Sequence, residues 1–139
     1  MRELAIKYRT LQLLAHNAHN MCAGPTFVAY HPFLGELYGT YEDAYDGLIE
    51  RIIGLYGVGS LDLINVQEEA ISSLKAASKL PAAFQEAFSD ILALEQDANA
   101  HIEQLAKVSG ITQGTLNMLA DMADKAEVRC YKLKQRLGK

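Results

Sequence analysis

Residues 19–50 read HNMCAGPTFVAYHPFLGELYGTYEDAYDGLIE. Gly24-Pro25 interrupts a helical pattern, so one helix is expected to end near Ala23 and a short loop, 25–30, to follow. A second helix is expected to open near His31-Pro32, because proline suits a first helical turn. Phe33, Leu37, Tyr41, Ala44, Leu48, Ile52 and Leu55 then recur at three- and four-residue steps as its core stripe. Gly57, Gly59 and Ser60 break it.

Upstream, Leu4, Tyr8, Leu11, Ala15, Ala18 and Cys22 give the first helix its apolar face. Downstream, residues 61–79 suggest one or two short helices in a crossover. Pro81 is expected to open a third long helix carrying Phe84, Phe88, Ile91, Ala98, Ile102 and Leu105, with Gly110 as its cap. A fourth, from about Thr112 to Leu137, rests on Leu116, Leu119, Ala123, Cys130, Leu133 and Leu137. Two long helices, a connection of about twenty residues and two more describe an all-α four-helix bundle with one long crossover carrying a short helix. That is the ferritin-like connectivity. Neither a linker nor an internal repeat divides the chain, so residues 1–139 read as one domain.

Composition agrees. Alanine and leucine together supply 38 of 139 residues and only three prolines occur, which favours long helices over a sandwich or barrel. No apolar run approaches the ~18 residues of a membrane span, and with the helical pattern starting at once after Met1 no leader is expected. Cys22 and Cys130 are too few for a disulfide framework, and a reducing, cytoplasmic setting is the expectation. The net charge of −4 is unevenly spread. Residues 36–50 hold Glu36, Glu42, Asp43, Asp46 and Glu50 with no base, whereas the last fifteen hold six of the thirteen bases. The chain as a whole repels nucleic acid, and only its tail attracts it, weakly.

His16 and His19 lie one turn apart on the first helix; Asp46 and Glu50 lie one turn apart on the second. Imidazole with carboxylate and no thiolate suits iron, manganese or zinc. At 100° per residue His31, Gly35, Tyr38, Glu42, Asp46 and Glu50 share the face opposite the core stripe. His31 and Asp46 are nevertheless roughly 22 Å apart along a continuous helix, too far to hold one metal in one chain. Two copies of the helix crossing antiparallel about a two-fold axis near Gly39 would bring them together. Gly35 and Gly39, each costing ~1 kcal/mol relative to alanine inside a helix, fit such a close approach. The spacing therefore points to a site between subunits: His19 and His31 from one chain, Asp46 and Glu50 from its mate.

His19 through Pro25, with Phe27 and His31, resembles the His-x4-Gly-Pro-x-Phe…His segment of the Dps miniferritins, and Asp46-x3-Glu50-Arg51 resembles that family's Asp-x3-Glu-Arg. The likeness is clear over residues 10–57 and elsewhere extends to helix layout. It implies a hollow shell of twelve subunits, a ferroxidase site shared at two-fold interfaces through His19, His31, Asp46 and Glu50, and iron(II) oxidised by hydrogen peroxide or oxygen and stored inside. Zinc or manganese are further metals such a site accepts. His16 and Glu42 are possible accessory ligands, and Asp121, Asp124 and Glu127 are candidates for an acidic pore. The sequence departs from the family in placing Gly35 where an aspartate is usual and Asn20 where a tryptophan is common; Tyr30 and Tyr38 are then the nearby candidate electron donors. No lysine-rich tail precedes the first helix, so DNA binding is expected to be weak or absent. The alternatives are a DNA-protecting nucleoid protein and a helical cage with a degenerate metal site. Without a Glu-x-x-His pair, an intrachain di-iron site is not expected at His101 and its neighbours Asp97 and Glu103.

Overall fold

The computed structural model describes residues 1–80 and 84–139. Among these residues there are five α-helices and no strand: α1 (Arg2–Met21), α2 (Phe27–Tyr56), α3 (Leu63–Ala77), α4 (Ala87–Leu105) and α5 (Gln113–Leu137). Helices α1, α2, α4 and α5 are the long members of the bundle, and α3 is the single helix of the crossover.

All six residues of the expected α1 stripe are buried, from Leu4 to Cys22. That face meets Leu34, Leu37, Tyr41 and Leu48 of α2, and Phe88, Ile91, Ala98 and Ile102 of α4, in one continuous core. Helix α3 buries only Val66 and Ala70 and lies along α1, where Arg2 bonds Glu69 and Arg9 bonds Gln67. The ends carry the expected local chemistry. Asp62 caps α3 by accepting from the Asn65 N–H (3.0 Å), Thr112 caps α5 through Thr115 N–H (3.2 Å), and Gly138 closes α5 in the left-handed conformation.

Several boundaries differ from the sequence expectation. Helix α2 starts at Phe27 after a 3-10 turn over Gly24–Thr26, so 25–30 is mostly helical and Pro32 lies inside the helix. The proline is tolerated because the carbonyl it leaves unserved belongs to Val28, in an exposed first turn. Leu55, expected in the α2 stripe, is 40 % exposed, and Tyr45 is buried instead. Helix α4 ends at Leu105, and Gly110 reverses the chain five residues later with φ +86° rather than capping the helix directly. Pro81, expected to open the third long helix, lies outside the described residues; the first described turn there is a 3-10 turn at Phe84–Glu86.

Helices α1 and α2 pair along their length, as do α4 and α5, and α1 packs on α4. The backbones of α2 and α5 stay apart. They meet through side chains: Lys132 to Glu36 (2.8 Å), the Arg136 guanidinium over the Phe33 ring (3.7 Å) and Arg51 beside Gly114.

Candidate metal centre

The end of α1 and the start of α2 bring His16, His19 and His31 to one side of the bundle. The break at Gly24, whose φ is +77°, folds α2 back so that the His19 and His31 rings lie 3.7 Å apart between centroids. Tyr38 lies edge-on to His19 (5.2 Å) and stacks on His16 (4.4 Å), while the Phe27 ring lies tilted against that of His31 (4.5 Å). His19 Nδ1 lies 2.8 Å from the His31 carbonyl oxygen, and the imidazole is the partner that can donate. The bond fixes the tautomer and leaves Nε2 with a free lone pair, the arrangement by which a carbonyl orients a metal-binding histidine. Cys22 lies alongside; burial pushes its thiol up against the lowering effect of a His31 backbone bond, so it remains protonated at neutral pH.

Gly35 sits directly beneath this cluster. A Cβ added there would stand 3.5 Å from the His19 ring at Cε1 and Nδ1, an ordinary contact. Further along α2, Glu42, Asp46 and Glu50 are all exposed, and Gly39 between the two groups has open space above its Cα. Among the described residues no three histidine, cysteine or carboxylate side chains converge within one chain. The donors form two separate half-sets: imidazoles where the end of α1 meets the start of α2, and the carboxylates Asp46 and Glu50 two to three turns beyond Gly39 on α2.

Asp121, Asp124 and Glu127 do not form one cluster. Asp121 pairs with Lys125 (2.7 Å) and, with Asp124, flanks the gap between α2 and α5; Glu127 borders the groove between α4 and α5 beside Cys130. His101 and Asp97 turn to α1, where His101 Nδ1 is 3.8 Å from Glu3 and Asp97 pairs with Lys7.

The middle of the bundle holds a polar group that the periodicity did not single out. Glu95 of α4 is fully buried and accepts two bonds from Arg129 of α5, at 3.1 and 2.8 Å. Arg129 also bonds the Tyr8 hydroxyl (3.4 Å) and lies over the Tyr41 ring (5.2 Å), so all four long helices contribute. Burial disfavours the guanidinium charge, but the bond and charge of Glu95 outweigh it and hold Arg129 firmly protonated. The same burial, reinforced by Glu95, drives both phenols well above their usual range. A fixed guanidinium thus occupies the bundle interior, where di-iron members of this architecture place inward carboxylates and histidines around metal. The signal was present in the spacing: Glu95 falls in register with Ile91, Ala98 and Ile102, and Arg129 with Ala126 and Leu133.

The sequence matches no curated protein and no solved structure. A family model does match, covering residues 4–139 and thus almost the whole chain, and its description is the ferritin-like domain. With the helix order and long crossover in agreement, the chain belongs to the ferritin-like family.

Proposed function

We propose that this protein oxidises and stores iron as a closed oligomer, and that each oxidation site is shared by two chains. Membership of the ferritin-like family supports iron oxidation and storage as the general role. The observation that carries the finer reading is the His19–His31 pair, with one imidazole oriented by the carbonyl of the other residue. That half-set offers nitrogen donors; Asp46 and Glu50, exposed on the same helix, offer oxygen donors and the negative charge a dication needs. An antiparallel partner crossing near Gly39 would join His19 and His31 of one chain to Asp46 and Glu50 of the other. Fe(II) is the substrate there; it gives its electron to peroxide or oxygen, and the ferric product passes into the shell. Glu42 and His16 flank the two half-sets as accessory donors. The Dps-like spacing supports a twelve-subunit shell with two-fold sites.

DNA protection is the weaker reading because the tail bases are largely engaged within the chain. Arg129 is buried on Glu95, Lys125 pairs with Asp121, Lys132 with Glu36, and Arg136 covers Phe33. Of the six, Lys134, Arg136 and Lys139 have no ion pair among the described residues, and Arg136 is engaged by aromatic rings alone.

Subunit mixing tests the shared site. A His19→Ala/His31→Ala chain and an Asp46→Ala/Glu50→Ala chain are each expected to lose Fe(II) oxidation. Random co-assembly of the two should restore about a quarter of the native sites, because each mixed pair regains one intact set of two. Silence of the mixture, with assembly confirmed by light scattering, would overturn the shared-site reading.

A further inference from the structure

Between α2 and α5 lies a cleft of about 460 Å³, within the ~300–1,000 Å³ range of small-molecule pockets. Its walls are apolar: Leu37 and Ala44 on α2, Met118, Met122 and Val128 on α5. It is closed at one end by the Lys132–Glu36 ion pair and at the other by Met118, whose methyl lies 3.7 Å from where a Gly47 Cβ would stand. Tyr8 and Arg129 reach it from below.

Arg129 is only 8 % exposed, and its bonds to Glu95 and Tyr8 use Nε and Nη2. Nη1 makes no hydrogen bond among the described residues, and Arg129 lines the cleft, so this nitrogen is free to donate to a molecule bound there. Glu95 already compensates the charge, so the floor favours an acceptor atom over a full negative charge. At the mouth, Asp121 and Glu36 are paired with lysines, whereas Asp43 and Asp124 have no ion pair among the described residues. The rim is therefore net negative.

We propose that the α2–α5 cleft is a binding site for a compact, largely apolar, neutral or cationic molecule carrying a carbonyl-type acceptor at its buried end. The acceptor bonds Arg129, the ring or alkyl body lies among Leu37, Met122 and Val128, and a positive group meets Asp43 and Asp124. The site is independent of the iron reading, since it uses none of the proposed iron ligands.

The probe is para-acetylbenzylamine, titrated into the intact oligomer by calorimetry and by methionine-methyl NMR. The expected Kd is below about 1 mM, with the Met118 and Met122 methyl resonances moving first. Para-ethylbenzylamine, which lacks the acceptor, and para-acetylbenzoate, which reverses the charge, are each expected to bind about tenfold more weakly. Ala44→Phe and Val128→Phe fill the cleft from opposite walls, and each should weaken the probe at least tenfold while melting temperature stays near that of the parent. The proposal is overturned if the probe does not saturate by about 10 mM, if its shifts fall elsewhere, if the benzoate binds as well, or if a folded wall variant binds normally. Should neither wall variant fold, the shift map and ligand series on the parent protein decide alone.

Discussion

Glu95 and Arg129 each need the other. Removing one partner of a buried pair strands a charge in the interior, which costs about 3–5 kcal/mol. Arg129→Leu is therefore expected to destabilise the chain by about that much in urea unfolding, whereas Glu95→Leu with Arg129→Leu should recover most of the loss. The neighbouring tyrosines set an alkaline limit. Tyr41 is wholly buried beside the Glu95 carboxylate, and burial first, then that negative charge, hold its folded pKa above the value near 10 of an unfolded phenol. At high pH the unfolded chain releases this proton and the folded chain keeps it. The stabilisation is complete below about pH 10 and is lost as pH rises further. Tyr41→Phe should flatten that alkaline limb when unfolding is followed from pH 7 to 11. At Gly35 the His19 ring leaves room for a Cβ, so Gly35→Asp should assemble normally and place a carboxylate beside the imidazole pair. Tighter Fe(II) binding and faster oxidation are the expected result of titrating both proteins; unchanged binding would show that this position supplies no ligand.

Helix α2 carries His31 as well as Asp46 and Glu50, three of the four proposed ligands, so its straightness matters more than its stability. Gly39 is a helix interior residue with open space above it. Gly39→Leu favours the isolated helix by ~1 kcal/mol yet puts a bulky side chain where the proposed two-fold partner crosses. Helix content by circular dichroism should hold or rise, while light scattering should show a smaller particle. This helix also marks how far the sequence could be read. The α1 stripe was legible because each third or fourth residue is apolar and each is buried. The start of α2 was misplaced because Pro32 resembles a first-turn proline, and the six residues before it carry no helical period of their own. Proximity of His19 to His31 was legible from the Gly-Pro turn. The hydrogen bond between them was not, since it depends on the angle at which α2 folds back. Arg129 was passed over for a different reason: a charged residue beside Cys130 reads as surface until a buried partner on another helix is known.

For the whole molecule, charge is the property that assembly multiplies. Twelve chains at −4 each would total −48, and the tail bases that oppose this are mostly committed to carboxylates or rings of their own chain. Duplex DNA should therefore give no mobility shift at about 150 mM salt. A retained shift that survives deletion of residues 132–139 would assign DNA a surface elsewhere on the protein. No described helix is long and apolar enough to cross a membrane.

Because the α2 and α5 backbones stand apart, the chain is built as two hairpins, α1–α2 and α4–α5, joined by the α1–α4 contact and by side chains that reach across: Arg129 to Tyr8, Lys7 to Asp97, Lys132 to Glu36 and Arg136 to Phe33. Local opening should follow that seam. Swinging α4 and α5 away as a unit breaks the α1–α4 packing and the side-chain links Arg129–Tyr8, Lys7–Asp97, Lys132–Glu36 and Arg136–Phe33 while leaving Glu95–Arg129 intact, whereas separating α1 from α2 breaks the most extensive helix pairing in the fold. In hydrogen exchange, the amides of α4 and α5 would share a partial-unfolding free energy below the global one, and those of α1 and α2 would report the global value.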